Sequence, residues 1–343
     1  ISRCPLLLVF LAWHAEVPLH WIGGMFPPLL LLLVSAILLG NWSAPLRWAT
    51  KATTVQWSDL WLVYTPVGQL LLPWLTVFLT KSSIHGNLLH ILSVFTCGIA
   101  WGLGNSAMGL VVPKLGVGLA ATLNPSAVLI VGTVLPLLLD DPTLTAPKSI
   151  QTIIASLACL IPISFSMTAA KVRAADEAPR AATSASASAS PFAPADRTST
   201  GAAALAVVGG CLAAMINVGW YLGRQQLGTE LAWAVALSGA SIPSYLISTC
   251  LVVRRTARPP RQGRHRSFKG QSVHRLNYSP PPCSWKVLLG TGVTMAAMQF
   301  SAFYLYGLAS SSLGSLGAST GWAIFSATSI LAANVTGIIQ GDW

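Results

Sequence analysis

Ten polar or aromatic side chains inside otherwise apolar runs are the residues of this sequence that could bind a solute. A neutral polar solute needs hydrogen-bond donors and acceptors on a dry wall, together with an aromatic face to stack on. The amides among them are the most informative, because a buried amide in hydrocarbon is costly unless it is paired. The candidate binding residues are Trp101, Asn105, Asn124, Gln299, Tyr304, Ser319 and Trp322, and Gln69, Tyr306 and Thr320 complete the set.

Each candidate also has a purely structural interpretation, which the sequence leaves open. An amide in a membrane helix can pair with a neighbouring helix instead of a solute. Trp101 and Trp322 lie too deep in their runs for an interfacial belt, but they could serve only as packing. His90 lies near the end of its run and is either a proton-coupling residue or an interfacial side chain.

Catalytic and metal-binding patterns are missing from the sequence. There is no HExxH, GxSxG or P-loop, and the vicinal acids Asp140 and Asp141 lie together at a helix end rather than on two facing helices. The six cysteines form no CxxC pair. We therefore expect no enzymatic activity, no cofactor and no metal.

The elements that position these residues are predicted to be membrane helices. Of the 343 residues 53% are hydrophobic and only 8% are charged, whereas soluble domains carry roughly 25% charged residues. Apolar runs of about 20 residues, long enough to cross the hydrocarbon core, recur along the chain. Hydropathy averaged over windows of about 19 residues predicts nine membrane spans. They lie near 27–45, 59–80, 88–112, 115–139, 149–170, 201–223, 230–253, 286–309 and 315–339.

Two polar connections divide the chain. Residues 171–200 hold an Ala/Ser tract that cannot bury enough apolar area to order itself, and residues 254–285 form a basic loop rich in arginine and proline. The predicted organisation is an uncertain extension at 1–26, a five-helix unit at 27–170, the disordered loop, and a four-helix unit at 201–343.

The net charge of +11 comes from basic residues gathered between spans, not from a basic folded surface. By the positive-inside rule, the connections after the odd-numbered spans face the cytoplasm. The arginines of 254–275 are also expected to attract anionic lipid. Nucleic-acid binding is not expected, since no aromatic interleaving or fold signature accompanies them.

Two segments 198 residues apart share one spacing. Gly109-Leu110 is followed after four residues by Leu115-Gly116, and Gly307-Leu308 is followed after four residues by Leu313-Gly314. In the same alignment, with an offset of 198 residues, Ala120-Ala121-Thr122 corresponds to Ala318-Ser319-Thr320. Because the repeated helix pairs are five spans apart, the copies should cross the membrane in opposite directions. Inverted repeats of this kind are typical of secondary transporters, although they could also stabilise a mere scaffold.

The same segments resemble the L-rhamnose proton symporter family. The family's WGxGN…GL…LG…VGT pattern is matched by Trp101 to Asn105, Gly109-Leu110, Leu115-Gly116 and Val131-Gly132-Thr133. Its GW-x-IF…N…GEW ending resembles the residues Gly321-Trp322, Phe325, Asn334 and Gly341-Asp342-Trp343, and its LPW resembles Leu72-Pro73-Trp74.

The resemblance implies the all-helical, five-plus-five fold of the drug/metabolite transporter superfamily, with uptake of a neutral sugar coupled to protons. The family continues into a tenth helix where this sequence stops at Trp343, so we expect that helix to be missing here. The membrane implied is the plasma membrane, with an organellar membrane as the alternative. Two other functions stay open: a non-transporting receptor or scaffold, and a nucleotide-sugar or metabolite exchanger of the same superfamily.

Overall fold

The computed structural model of the chain describes residues 26–53, 55–82, 86–115, 117–158, 168, 200–257, 284–314 and 317–339. Every regular element within these ranges is helical. The predicted extension at 1–26 and the Ala/Ser loop at 171–200 lie almost wholly outside the described residues, as does most of the basic loop at 254–285.

The helices follow the predicted spans closely. In chain order they are α1 (Phe26–Asn41), α2 (Ala44–Ala52), α3 (Trp57–Thr65), a π-helical segment π1 (Pro66–Leu71), α4 (Leu72–Leu79), α5 (Leu88–Leu115), α6 (Val117–Asp140), α7 (Pro147–Ala158), α8 (Thr200–Thr256), α9 (Trp285–Ser312), a second π-helical segment π2 (Gly317–Gly321) and α10 (Trp322–Ile339).

Among the described residues, seven helical stretches are long and apolar enough to cross a membrane, with α1 and α2 counted as one stretch and α3, π1 and α4 as another. This is the helix content of an integral, multi-pass membrane protein. The 57-residue helix α8 would be about 85 Å long if it were straight, far more than one crossing of roughly 30 Å requires. It is interrupted at Gly228, whose φ of 75° and ψ of 167° are not helical. We call its two parts α8a (200–227) and α8b (229–256), and they correspond to the sixth and seventh predicted spans.

The predicted fifth span at 149–170 is described only in its first half, as α7. The turn before it is held by Asp141, whose carboxylate accepts hydrogen bonds from the Ala146 backbone N–H at 3.0 Å and from the Ser149 hydroxyl at 2.9 Å. These hydrogen bonds lower the pKa of the exposed Asp141 carboxyl, and the hydrogen bond from the Ala146 backbone N–H has the largest effect. Asp141 thus has a capping function at the start of α7.

Proline shapes the second span. Pro66 lacks a backbone N–H and cannot donate to the preceding turn, and the chain passes from α3 through π1 into α4 at this point. The three elements form one continuous helix, which we call the α3–α4 helix. Its first turn is capped by Asp59, whose carboxylate accepts a hydrogen bond from the Gln56 backbone N–H at 3.0 Å.

Small residues let α5 pack closely against both parts of α8. A Cβ at Gly98 would overlap the Ala236 carbonyl of α8b, and one at Gly104 would overlap the Gly209 carbonyl of α8a. Helix α1 packs in turn against α9 and α10. Large side chains such as Phe78 and Ile339 point outward, 77% and 79% exposed, as expected of helices that contact lipid.

Candidate functional site

The Asn217 side chain, on α8a, is the centre of a fully hydrogen-bonded polar group. Its Nδ2 donates to the carbonyls of Gly132 on α6, at 2.7 Å, and Ala318 on π2, at 2.8 Å. Its Oδ1 accepts a hydrogen bond from the Tyr306 hydroxyl on α9 at 2.7 Å. One amide therefore ties four helical segments together, and we call this group the Asn217 centre.

Aromatic rings surround the Asn217 centre. The Tyr306 ring lies 5.4 Å from Trp220, 5.2 Å from Trp322 and 4.8 Å from Phe325, measured between ring centroids. The ring of Trp233 lies 6.0 Å from that of Trp220 and nearly parallel to it. The low dielectric of this surround strengthens the hydrogen bonds and makes an unpaired amide there expensive.

Helix α5 runs antiparallel to α8a. Gly104 lies against Gly209, whereas Cys97, earlier on α5, lies against Gly219, later on α8a. The contact residues thus advance in opposite senses along the two helices.

Helix α9 runs parallel to α8a. Tyr306 meets Asn217, and about two turns further along both helices the Gly314 carbonyl, just beyond α9, accepts from the Arg224 guanidinium at 3.3 Å. Since α5 is antiparallel to α8a and α9 is parallel to it, α5 and α9 run in opposite directions. These are the third and eighth predicted spans, the first helix of each repeated pair.

Helices α5 and α9 meet at an aromatic contact. The Trp101 and Phe303 rings are 5.7 Å apart in an edge-to-face arrangement, while the two helix backbones make little close contact. Because the helices are antiparallel, Asn105 and Gln299 both lie one turn from this contact, about 6 Å along the axes and on the same side of it. The Gln299 side chain is buried, and the Asn105 Nδ2 is buried without a partner among the described residues.

Two of the predicted binding residues use their polar atoms to join helices. Asn124 donates from Nδ2 to the Ala206 carbonyl at 3.2 Å, which ties α6 to α8a. The Trp322 indole N–H donates to the Val128 carbonyl at 3.2 Å and lies against Gly132. This arrangement matches the structural interpretation that the sequence left open for these two residues.

Four further predicted residues lie apart from the α5–α9 contact. Ser319 is buried in π2 beside the Asn217 centre. Thr320 shares a hydrogen bond of 2.9 Å with Thr152 of α7. Tyr304 lies beside the Glu230 carboxylate at the start of α8b. His90 is half-buried near the start of α5, and its Nδ1 has no partner among the described residues.

Ionisable groups gather where α6, α8a and α9 end. The Tyr221 hydroxyl donates to Asp140, and the Arg224 guanidinium lies over the Trp220 and Tyr221 rings, 5.0 Å and 5.2 Å from their centroids. Within the described part of the chain Arg224 forms no salt bridge. The acids of this cluster are close to helix ends rather than at mid-membrane depth.

The sequence analysis missed Asn217, although the sequence signals it. Asn217 is a lone amide in an apolar run, as Asn105 is, and it should have been a candidate on the same ground. Its partners could not be foreseen, because Gly132 and Ala318 are 85 and 101 residues away in the chain.

Comparison of the chain with protein-family models, curated proteins and solved structures finds no match.

Proposed function

We propose that this protein is a secondary transporter for a small neutral polar solute of the sugar class, built as an inverted repeat of the drug/metabolite transporter type. The observation that carries the proposal is the opposite direction of α5 and α9, the helices that hold the repeated sequence. Inverted repeats place the solute near the membrane midplane, where the two halves meet. Asn105 and Gln299, each one turn from the Trp101–Phe303 contact, are the residues that we infer to face the solute there.

The chemistry of these residues favours a neutral solute. An amide offers both donors and an acceptor, which suits hydroxyl groups, and the Trp101 ring provides a face for an apolar side of a sugar. The motif resemblance of the third, fourth and ninth spans favours L-rhamnose or a related deoxy sugar. Proton coupling is part of the proposal, with His90 as its candidate residue.

Uptake by the purified protein tests this function directly. Proteoliposomes would be given a panel of radiolabelled deoxy sugars and hexoses, with and without an imposed pH gradient, and empty liposomes serve as the control. Uptake of one sugar above the control supports the transporter, and accumulation only under the gradient supports proton coupling. Uptake of none of the sugars contradicts the assignment to sugars.

An exchanger of anionic metabolites is a second candidate, favoured by Arg224. Its guanidinium stacks on two aromatic rings and has no carboxylate partner among the described residues, which leaves it able to bind an anion. Counterflow of a nucleotide sugar from preloaded proteoliposomes separates this candidate from the first. In that case Arg224→Gln should abolish counterflow, whereas it should leave neutral sugar uptake intact under the first proposal.

A further inference from the structure

The α3–α4 helix and α8b lie side by side and run in opposite directions. Near one end Arg255 forms a salt bridge with Asp59, in which Nη1 donates to Oδ2 at 3.1 Å. Near the other end the Trp74 indole N–H donates to the Ser238 hydroxyl at 2.9 Å. The two contacts fix the register of the pair, and we call the interface between them the α4–α8b seam.

Polar side chains without partners line the α4–α8b seam. Thr65, Gln69, Ser244 and Ser248 are between 0% and 1% exposed. The three hydroxyls and both polar atoms of Gln69 form no hydrogen bond of standard geometry among the described residues. The Tyr64 side chain is the polar neighbour of Gln69 within its own helix. The register puts Gln69 level with Ser244 and Thr65 level with Ser248, so the unpaired groups form two layers about 6 Å apart.

Other hydroxyls of the α3–α4 helix do form hydrogen bonds. Thr76 and Thr80, later on the α3–α4 helix, donate to the carbonyls four residues back at 3.0 Å and 2.8 Å. Thr65 does not. An apolar side chain at each seam position would avoid the cost of a buried unpaired polar group. The polar groups of the seam therefore suit another conformation, in which they have partners.

The local backbone supports opening at this point. The π-helical segment π1 contains Gln69, and π-helical turns occur frequently at functional sites. On the other side of the seam, Pro243 precedes Ser244 and removes one hydrogen bond from the helix. Both helices that flank the seam are therefore irregular at the level of Gln69 and Ser244.

The seam also adjoins the meeting point of α5 and α9. Gly68 lies against Ala296 of α9, which is one turn before Gln299. Gln69 is therefore within about one helical turn of the level of Gln299. Hydroxyls and a primary amide, with no charge between the two ends, are groups that hydrogen-bond to the hydroxyls of a neutral sugar.

We propose that the α4–α8b seam is a second binding site for solute hydroxyls, closed in this structure by the Asp59–Arg255 salt bridge and opened when that salt bridge breaks. The ligand class rests on the proposed transport of a neutral sugar. The existence of a closed polar seam rests only on the unpaired groups and the two end contacts.

Cysteine labelling tests the opening of the seam. Ser248→Cys, in a background with every native cysteine replaced, would be labelled in nanodiscs with a membrane-impermeant methanethiosulfonate, which reaches both faces. Breaking the partly buried salt bridge with Asp59→Asn should raise the labelling rate about two- to fivefold, the change that corresponds to an ion pair of about 0.5–1 kcal/mol. The control is Ala240→Cys, on the same helix but against α5 at Gly102.

A charge exchange provides the rescue. Asp59→Arg combined with Arg255→Asp should return labelling of Ser248→Cys to the slow rate, while either change alone should raise it. An unchanged labelling rate in Asp59→Asn would contradict the proposal that the salt bridge closes the seam. An equal increase at the Ala240→Cys control would contradict it as well. Global loosening of the bundle would explain that second result.

Protection by sugars tests the ligand class. The transported sugar should slow labelling of Ser248→Cys in Asp59→Asn, and it should not slow the control. If the seam opens but no sugar in the panel protects it, the hydroxyl-binding site is wrong. If a sugar protects the seam and proteoliposomes nevertheless take up none, the site stands and the transport proposal fails.

Discussion

Two polar regions of this bundle are equally buried and differ in hydrogen bonding. In the Asn217 centre, the amide and the Tyr306 hydroxyl all have partners on other helices. In the α4–α8b seam, Gln69 has the same burial and forms no hydrogen bond of standard geometry with another helix among the described residues. A satisfied buried amide fixes one arrangement of helices, whereas an unsatisfied one raises the free energy of the state in which it is buried.

The difference in hydrogen bonding distinguishes polar residues that join helices from polar residues that have no partner on a neighbouring helix. The Asn217 centre is expected to hold α6, α8a, α9 and π2 as one unit. The seam is expected to open, because opening relieves the unpaired groups. The following substitutions test this distinction, from the largest expected effect to the smallest.

Removing the Asn217 amide should give the largest loss of stability. Asn217→Leu leaves two backbone carbonyls without the amide donor and leaves the Tyr306 hydroxyl only its longer hydrogen bond to the Gly317 carbonyl, at 3.3 Å. We expect the free energy of unfolding to fall by about 2–4 kcal/mol. Thermal unfolding of the detergent-purified protein measures this. Asn334→Leu, a half-buried amide on α10, is the control and should change stability far less. Equal effects of the two substitutions would mean that the centre has no special structural role.

A Cβ at Gly98 should give the next largest loss. It would overlap the Ala236 carbonyl, so Gly98→Ala should cost about 1–3 kcal/mol through displacement of α8b. Gly290→Ala is the matched control, since nothing lies within 4 Å of a Cβ there. In that exposed helix position alanine should stabilise by up to about 1 kcal/mol. A stable Gly98→Ala would show that α8b is not fixed to α5 as the contact implies.

Replacing Gln69 should have the opposite sign. Gln69→Met keeps the length of the side chain and removes the unpaired donor and acceptor, so stability should stay the same or rise by up to about 1 kcal/mol. Transport should fall, because the seam loses its hydrogen-bonding groups. Gln225→Met, at an exposed position, should change neither property. A clear loss of stability in Gln69→Met would place Gln69 with Asn217 as a structural amide and remove the contrast.

Hydropathy predicted the helices well, because long apolar runs depend only on local composition. The third predicted span at 88–112 is helix α5 at Leu88–Leu115, for example. The junction within α8 was also predicted, because the sixth span was placed at 201–223 and the seventh at 230–253. Gly228, where the chain leaves the helical conformation with a positive φ, lies between these two spans.

The candidate site was predictable in part, for a physical reason. Residue type identifies a costly group such as Asn105 or Asn124, but whether that group has a partner depends on helices that are distant in the sequence. Asn124 has one in the Ala206 carbonyl, 82 residues away, and the Asn105 Nδ2 has none among the described residues. The α4–α8b seam could not be predicted from the sequence. Its residues come to lie at the same level only through the register of two helices that are far apart in the chain.

The smallest effect is expected at the α5–α9 meeting point, where truncation should affect binding and not folding. If Asn105 and Gln299 each donate to or accept from a neutral sugar, truncation to alanine should remove one hydrogen bond of about 0.5–1.5 kcal/mol. At roughly 1.4 kcal/mol per decade, the half-saturation concentration for uptake should rise about two- to tenfold in each variant. Uptake must be measured against sugar concentration and normalised to folded protein, because a loss of protein lowers the maximal rate alone. Asn124→Ala is the control: its Nδ2 joins α6 to α8a, so it should lower thermal stability and leave the half-saturation unchanged. An unchanged half-saturation in both Asn105→Ala and Gln299→Ala would remove these residues from the site and leave the α4–α8b seam as the place where the solute is bound.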